Sequence, residues 1–145
     1  MSRVTADGGE VAADVVARVR SRCADLPEVV EEPAWVGVRW RIRTHTFAHV
    51  VPVAGGHPPA YARAVGCDGP LVVLTFRSSG DELQALANVG PPFFKPPWFP
   101  DIVGVVVDGS TDWDEIGELV AESYRLLAPR RLAAEVEARL LGGDR

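Results

Sequence analysis

Apolar and arginine side chains alternate strictly over residues 38–43, which read Val-Arg-Trp-Arg-Ile-Arg. Successive side chains of a β-strand point to opposite faces of the sheet. The pattern therefore predicts a strand with one apolar face and one face that carries three guanidinium groups. A second strand-like stretch, residues 46–53, follows after a short gap. Together the two stretches predict a β-hairpin.

The N-terminal segment predicts one amphipathic helix. Apolar residues recur there at every fourth position: Val11, Val15, Val19 and Cys23. This spacing places them on one face of a helix over about residues 10–25. Pro27 cannot continue a helix and ends it. Residues 1–8 are small and polar, and we expect them to be frayed, as we do residues 142–145.

The remaining segments complete an alternating pattern of helices and strands. We expect strands at 71–77 and 102–107, and helices at 59–65, 81–88, 113–127 and 129–141. Residues 28–35 are predicted to form a connection with at most a short extended piece. The proline-rich residues 90–101 are predicted to lack regular structure. This order predicts an α+β fold, in which an antiparallel sheet carries its helices mainly on one face of a two-layer sandwich.

Composition limits the class of protein. A chain of 145 residues fits one domain, and we expect residues 1–145 to form it. The net charge of −5 argues against strong nonspecific binding of nucleic acid by the whole surface. Cys23 and Cys67 have neither disulfide-framework nor metal-site spacing. No signal peptide or apolar run of membrane-spanning length is visible, so a cytoplasmic location without membrane contact is the default expectation.

Four segments resemble the MmcQ/YjbR family. They are Cys-Ala-Asp-Leu-Pro-Glu-Val-Val-Glu-Glu-Pro (23–33), Trp-Arg-Ile-Arg (40–43), Phe-Ala (47–48) and the stretch 112–132, which begins Asp-Trp-Asp-Glu-Ile and contains Glu-Ser-Tyr-Arg-Leu-Leu-Ala-Pro-Arg-Arg-Leu. The resemblance implies a CyaY-like α+β fold, similar to that of frataxin. It also implies a DNA-binding role, because members of the family are widely labelled so.

Positive charge is concentrated near the hairpin. Between residues 33 and 67 the chain has four Arg, three His and no Asp or Glu. Phosphate contacts need little more than positive charge and reach. The candidate contacts to nucleic acid or another anion are Arg39, Arg41, Arg43, His45, Arg77 and Lys95. A structural alternative remains open, in which these arginines cover apolar surface and pair with acids of the acid-rich segment 101–122.

The aromatic residues of segment 90–101 allow two interpretations. Trp98 and Phe99 are candidates for stacking on bases, as aromatic platforms do for single strands, or for lining a ligand cleft. Alternatively, they close one end of the hydrophobic core. The adjacent carboxylates Glu31 and Glu32 suit acid–base or cation chemistry, but a solvated connection is the simpler interpretation.

No catalytic constellation appears in the sequence. His45, His49 and His57 lack the spacing of zinc ligands, and phosphate-binding glycine loops and nucleophile turns are absent. We therefore expect a noncatalytic binding module without metal or cofactor, whose partner is DNA or another polyanion. The alternative is a protein-interaction or small-ligand module with a cleft near residues 90–101. No pattern predicts an oligomeric state.

Overall fold

The computed structural model describes the backbone of residues 2–142 and the side chains of residues 12–139. The strands are β1 (Val29–Pro33), β2 (Val38–Ile42), β3 (His45–Val53), β4 (Leu71–Arg77), β5 (Phe93–Phe94) and β6 (Ile102–Val107). The helices are α1 (Ser2–Cys23), α2 (Pro59–Val65), α3 (Gly80–Asn88), α4 (Trp113–Leu127) and α5 (Arg130–Gly142). These elements form the predicted α+β fold.

All six strands belong to one antiparallel sheet in the order β1-β2-β3-β4-β6-β5. The predicted hairpin is the β2–β3 pair. Its register shifts near the turn, because Trp40 lies opposite Ala48 whereas Arg41 lies opposite Thr46. Phe47 is therefore an extra residue on β3, which makes this site a β-bulge.

One face of the sheet carries α1 and α4, and their apolar stripes form the main core with β2, β3, β4 and β6. The two helices run side by side in the same direction, since Arg18 lies over the ring of Trp113 and the Tyr124 hydroxyl donates to the Pro27 carbonyl. Asp112 caps α4 by accepting two hydrogen bonds from backbone N–H groups of its first turn. Helix α5 packs on α4. The helices thus lie mainly on one face, as predicted.

The opposite face, called the outer face below, is only partly covered. Helix α2 packs Ala62 against Val53 and Val73, which form a second, smaller cluster. Along β1 and β2 this face carries charged side chains instead, among them Glu32, Arg39 and Arg41. The fold therefore leaves a polar edge on the sheet at β1 and β2, where a ligand has access.

Three boundaries differ from the sequence prediction. The helix expected from about residue 10 already begins at Ser2, because Gly8 and Gly9 weaken a helix without blocking it as proline does. Strand β1 lies in the segment predicted to be a connection; as an edge strand it tolerates Pro33 at its end. Strand β5 lies in the segment predicted to be irregular. Predicted fraying beyond Gly142 falls outside the described residues.

A helix that crosses a membrane has to be both long and strongly apolar. Among the residues that the structure describes, none of the helices is both long and apolar enough to cross a membrane.

Candidate anion-binding site

Two of the predicted arginines project from the outer face of β2 and share one carboxylate. Arg39 Nε donates to Glu32 Oε2 at 2.6 Å, and Arg41 Nε donates to the same oxygen at 2.8 Å. Arg41 also reaches Glu32 Oε1 at 3.1 Å. The cross-strand pairing of Glu32 with Arg39 brings these groups together. One negative charge therefore faces two positive charges.

The same arrangement recurs at the end of β2. Arg43 lies in the β2–β3 turn with φ of 57°, and its guanidinium is 3.0 Å from Glu28 Oε1. Arg131 of α5 is 3.7 Å from the other oxygen of Glu28, and its side chain is 71% exposed. We call Arg39, Arg41, Arg43 and Arg131 the arginine edge. Its four guanidinium groups are paired with only two carboxylates, so two positive charges remain in excess.

These partners correct the structural alternative drawn from the sequence. That alternative paired the arginines with the acid-rich segment 101–122. Arg77 does pair with Asp101 of that segment, whereas Arg39, Arg41 and Arg43 pair with Glu32 and Glu28. The reason is the strand β1, which the sequence analysis did not identify. Once β1 pairs with β2, its own carboxylates lie nearest to the guanidinium groups.

The adjacent carboxylates Glu31 and Glu32 lie on opposite faces of β1. Glu31 accepts two hydrogen bonds from Arg20 of α1, at 2.9 and 2.7 Å, and one from the Trp40 indole at 3.0 Å. The pKa of Glu31 is lowered, mainly by the hydrogen bonds from Arg20. The two carboxylates thus form no acid–base pair. They remain partly accessible to solvent, as predicted, but the segment that carries them is a strand and not a connection, and each carboxylate pairs with arginine.

Hydrogen bonds from Arg41, followed by those from Arg39, lower the pKa of Glu32. The carboxylate therefore stays ionised at neutral pH and below. Its charge weakens the positive field of the arginine edge at neutral pH. A polyanion that approaches this edge has to compete with Glu32 for Arg39 and Arg41.

The other predicted anion contacts do not form one site with these arginines. His45 is exposed and begins β3, beside Arg43. Arg77, at the end of β4, donates to Asp101 at 2.9 Å. Lys95 donates to the carbonyls of Pro96 and Phe99, at 2.8 and 2.9 Å, and so closes the loop that contains them. The structure thus brings His45 close to the arginine edge and gives Arg77 and Lys95 partners of their own.

The two predicted aromatic residues, Trp98 and Phe99, lie in different environments. The ring of Trp98 contacts Tyr61 of α2 edge-on, with 4.9 Å between centroids, and adds to the covering of the outer face. Phe99 is 60% exposed, and the Arg77 guanidinium lies 5.3 Å from its ring centroid. A wide cleft lies elsewhere, along α4 and between it and its neighbouring helices, and seven carboxylates against three arginines give its lining a negative charge.

Among the side chains that the structure describes, no three His, Cys, Asp or Glu residues are placed to hold a metal ion. His49 is partly buried on the outer face, and its Nε2 is 2.7 Å from the Val36 carbonyl. Burial lowers the pKa of His49 more than the hydrogen bond to the Val36 carbonyl raises it, and the positive charge of Arg39 adds to the lowering. The neutral ring therefore acts as a hydrogen-bond donor to the turn between β1 and β2.

One conspicuously exposed residue, Trp35, is not among the candidates predicted from the sequence. Trp35 lies in the turn between β1 and β2, and 98% of its surface is exposed. The sequence pattern around it predicts an irregular connection, which gave no reason to single it out. The proline at 33 and the glycine at 37, on either side of it, were a turn signal that would have placed it at a hairpin tip.

Comparison with known proteins identifies the family. The family model YjbR matches residues 24–126, which span strands β1 to β6 and nearly all of α4. The chain belongs to the YjbR family. This confirms the resemblance that the sequence motifs indicated. No functionally curated protein matches this YjbR-family chain.

Solved structures share the fold of this YjbR-family chain. The crystal structure of Deinococcus radiodurans protein DR2400, which has the family-model domain DUF419, is 18% identical with a TM-score of 0.59. The match covers 84% of this chain and 87% of that one. A crystal structure of a Pseudomonas syringae protein is 13% identical with a TM-score of 0.57, covering 76% of this chain and 96% of the other. At these identities, the likeness concerns the fold.

Proposed function

We propose that this YjbR-family chain is a binding module for nucleic acid or another polyanion, and that the arginine edge is its contact surface. The observation that carries the proposal is the charge excess of the edge, where four guanidinium groups share Glu28 and Glu32. Guanidinium groups bind phosphate oxygens in a planar, two-pronged geometry. Because each carboxylate is already shared, one arginine of each set is available to a phosphate.

The exposure and position of the arginine side chains also support the arginine edge as the contact surface. The side chains of Arg39, Arg43 and Arg131 are 42%, 49% and 71% exposed. They lie on β2, in the β2–β3 turn and at the start of α5, all near the β1 end of the sheet. The acidic cleft along α4 repels a polyanion, so the field of the molecule favours the arginine edge over the helical side.

Salt dependence provides the test. We expect labelled oligonucleotides to bind at low ionic strength, with a logarithmic affinity that falls linearly with the logarithm of salt concentration. The slope is about 0.7 for each single-strand phosphate contacted. Arg43→Ala weakens binding and reduces that slope. Arg63→Ala, which removes an exposed arginine on α2, is the matched control and has a smaller effect.

Two results would refute this function. One is an absence of binding to oligonucleotides at the lowest salt concentration that keeps the protein in solution. The other is an equal loss of affinity in Arg43→Ala and Arg63→Ala, because a nonspecific charge effect does not distinguish the arginine edge from α2.

A further inference from the structure

Trp35 is the most exposed large apolar side chain among the described residues, at 98% of its surface. It lies at the tip of the β1–β2 hairpin, which is closed by a hydrogen bond of 3.0 Å from the Ala34 N–H to the Gly37 carbonyl. Burial of apolar surface is the main source of folding stability, and an indole in water contributes none of it. Packing within this chain therefore does not account for a tryptophan here.

The backbone beneath Trp35 is held in place by specific contacts. Gly37 has φ of 79°, and a Cβ at this position would lie 1.9 Å from the Val50 carbonyl oxygen, so the turn is pressed against β3. His49 binds the Val36 carbonyl from the same strand. The turn thus presents the indole on a fixed backbone. Binding of a ligand to this indole therefore costs the protein little conformational entropy in the turn.

A positively charged strand leads away from this indole. Strand β2 starts just after the turn, carries Arg39 and Arg41 on the outer face, and is followed directly by Arg43. The strand itself, Val38–Ile42, is five residues long, which is about 16 Å of extended chain. An exposed ring at one end of a row of guanidinium groups has the two features of single-strand binding surfaces, a stacking platform and a charged path for the backbone.

We propose that Trp35 stacks on an unpaired base of single-stranded nucleic acid, whose phosphates follow the arginine edge along β2. This inference rests on the proposed function and narrows its ligand. A duplex keeps its base faces stacked inside the helix, and inorganic polyphosphate has no bases. Trp35 therefore adds affinity only for a ligand with free base faces, whereas the arginines act on all three.

The experiment compares oligo-dT, a duplex of equal length and inorganic polyphosphate, each titrated against wild type and variants at low salt. Trp35→Ala weakens oligo-dT binding about tenfold, the order expected for one base–aromatic stack, and leaves polyphosphate binding unchanged. Trp35→Phe keeps most of the oligo-dT affinity because it retains an aromatic face. Val89→Ala shortens another exposed apolar side chain, at the end of α3, which packs near β5 and β6 at the other end of the sheet. It changes neither oligo-dT binding nor polyphosphate binding.

Stability and fluorescence supply independent readouts. Because the Trp35 side chain is almost entirely in solvent, Trp35→Ala keeps the wild-type thermal midpoint, which circular dichroism checks. Oligo-dT protects the wild-type protein from acrylamide quenching, and this protection disappears in Trp35→Phe, since the tryptophans that remain are more buried.

The possible outcomes test base stacking by Trp35 separately from polyanion binding by the arginine edge. If Trp35→Ala binds oligo-dT as tightly as the wild type does, base stacking is overturned but the arginine edge remains the binding site. Equal weakening toward oligo-dT and polyphosphate also overturns it. Loss of self-association in Trp35→Ala without any change in oligonucleotide binding assigns the indole to a protein contact instead. If the wild type binds none of the three ligands, the proposed function fails and the inference fails with it.

Discussion

The Ser123 hydroxyl donates a hydrogen bond of 2.6 Å to the Phe47 carbonyl, joining α4 to the bulged residue of β3. The same oxygen accepts a hydrogen bond of 2.8 Å from the Arg77 N–H. Regular pairing of β3 with β4 ends at Ala48 and Phe76. The next two residues, Phe47 and Arg77, therefore lack the hydrogen bonds of the β3–β4 ladder. Ser123 is fully buried and supplies both missing partners.

Ser123→Ala leaves the Phe47 carbonyl and the Arg77 N–H without partners in the core. Each buried polar group left unpaired costs about 1–3 kcal/mol, so we expect the free energy of unfolding to fall by about 3 kcal/mol. Urea denaturation measures the change. Ser79→Ala is the matched control, because Ser79 is exposed and its side chain caps nothing. Similar losses in the two variants would contradict the bridging role.

Sequence patterns sufficed where an element is determined by its own residues. The apolar and charged alternation of β2 and the Asp112 cap of α4 are local features, and both elements form as predicted. The family motifs likewise use contiguous segments. The predicted α+β sandwich followed from the order of such elements, because amphipathic helices have to cover a sheet with one apolar face.

Features that depend on a partner distant in the sequence could not be predicted from local sequence patterns. Strand β1 has two glutamates and no alternation, and it is a strand because β2 offers an edge. The two-residue β5 exists because Gly104 leaves room for the Phe94 ring, which would lie 2.2 Å from a Cβ there. Ion-pair partners follow from strand register, so a missed β1 also meant a wrong set of carboxylates for Arg39, Arg41 and Arg43.

His49 makes the folded state sensitive to mild acid. Burial and the charge of Arg39 lower its pKa in the native protein, whereas the unfolded chain titrates near the ordinary value of 6.5. Because the unfolded state then binds more protons, the stability that neutral His49 contributes is full above about pH 6.5 and is lost as pH falls toward the depressed native pKa.

His49→Gln tests this linkage, since the amide can still donate to the Val36 carbonyl but does not titrate. Urea denaturation between about pH 7 and pH 5 should show a smaller loss of stability in His49→Gln than in the wild type. His57→Gln removes an exposed histidine and serves as the control. The expectation is wrong if His49→Gln retains the wild-type dependence on pH.

Gly37 fixes the turn that carries Trp35. Gly37→Ala places a Cβ against the Val50 carbonyl, a backbone group that cannot rotate away. Gly55→Ala also has a positive φ, of 60°, but its Cβ would meet no atom within 4 Å. Both variants incur the left-handed strain of about 1–2 kcal/mol, and we expect Gly37→Ala to lose about 2 kcal/mol more through the clash. Equal losses of unfolding free energy would show that the turn has room to move away from β3.

Glu32 limits the affinity of the arginine edge for polyanions. Its carboxylate holds Arg39 and Arg41, and its lowered pKa keeps it charged at neutral pH. Glu32→Gln removes this charge at constant size, so we expect tighter binding of oligonucleotides at low salt. If one more arginine then reaches a phosphate, the slope of logarithmic affinity against logarithmic salt steepens by about 0.7 on a single strand.

The control for Glu32→Gln is Glu118→Gln, which makes the same change in net charge at an exposed position of the acidic cleft. A change in net charge acts over the whole surface and is screened beyond about 10 Å at moderate salt. A contact at the arginine edge responds only to the carboxylate that competes for its guanidinium groups. Titration of labelled oligonucleotide should therefore show a gain in Glu32→Gln that Glu118→Gln lacks, and identical gains would place the binding surface away from β2.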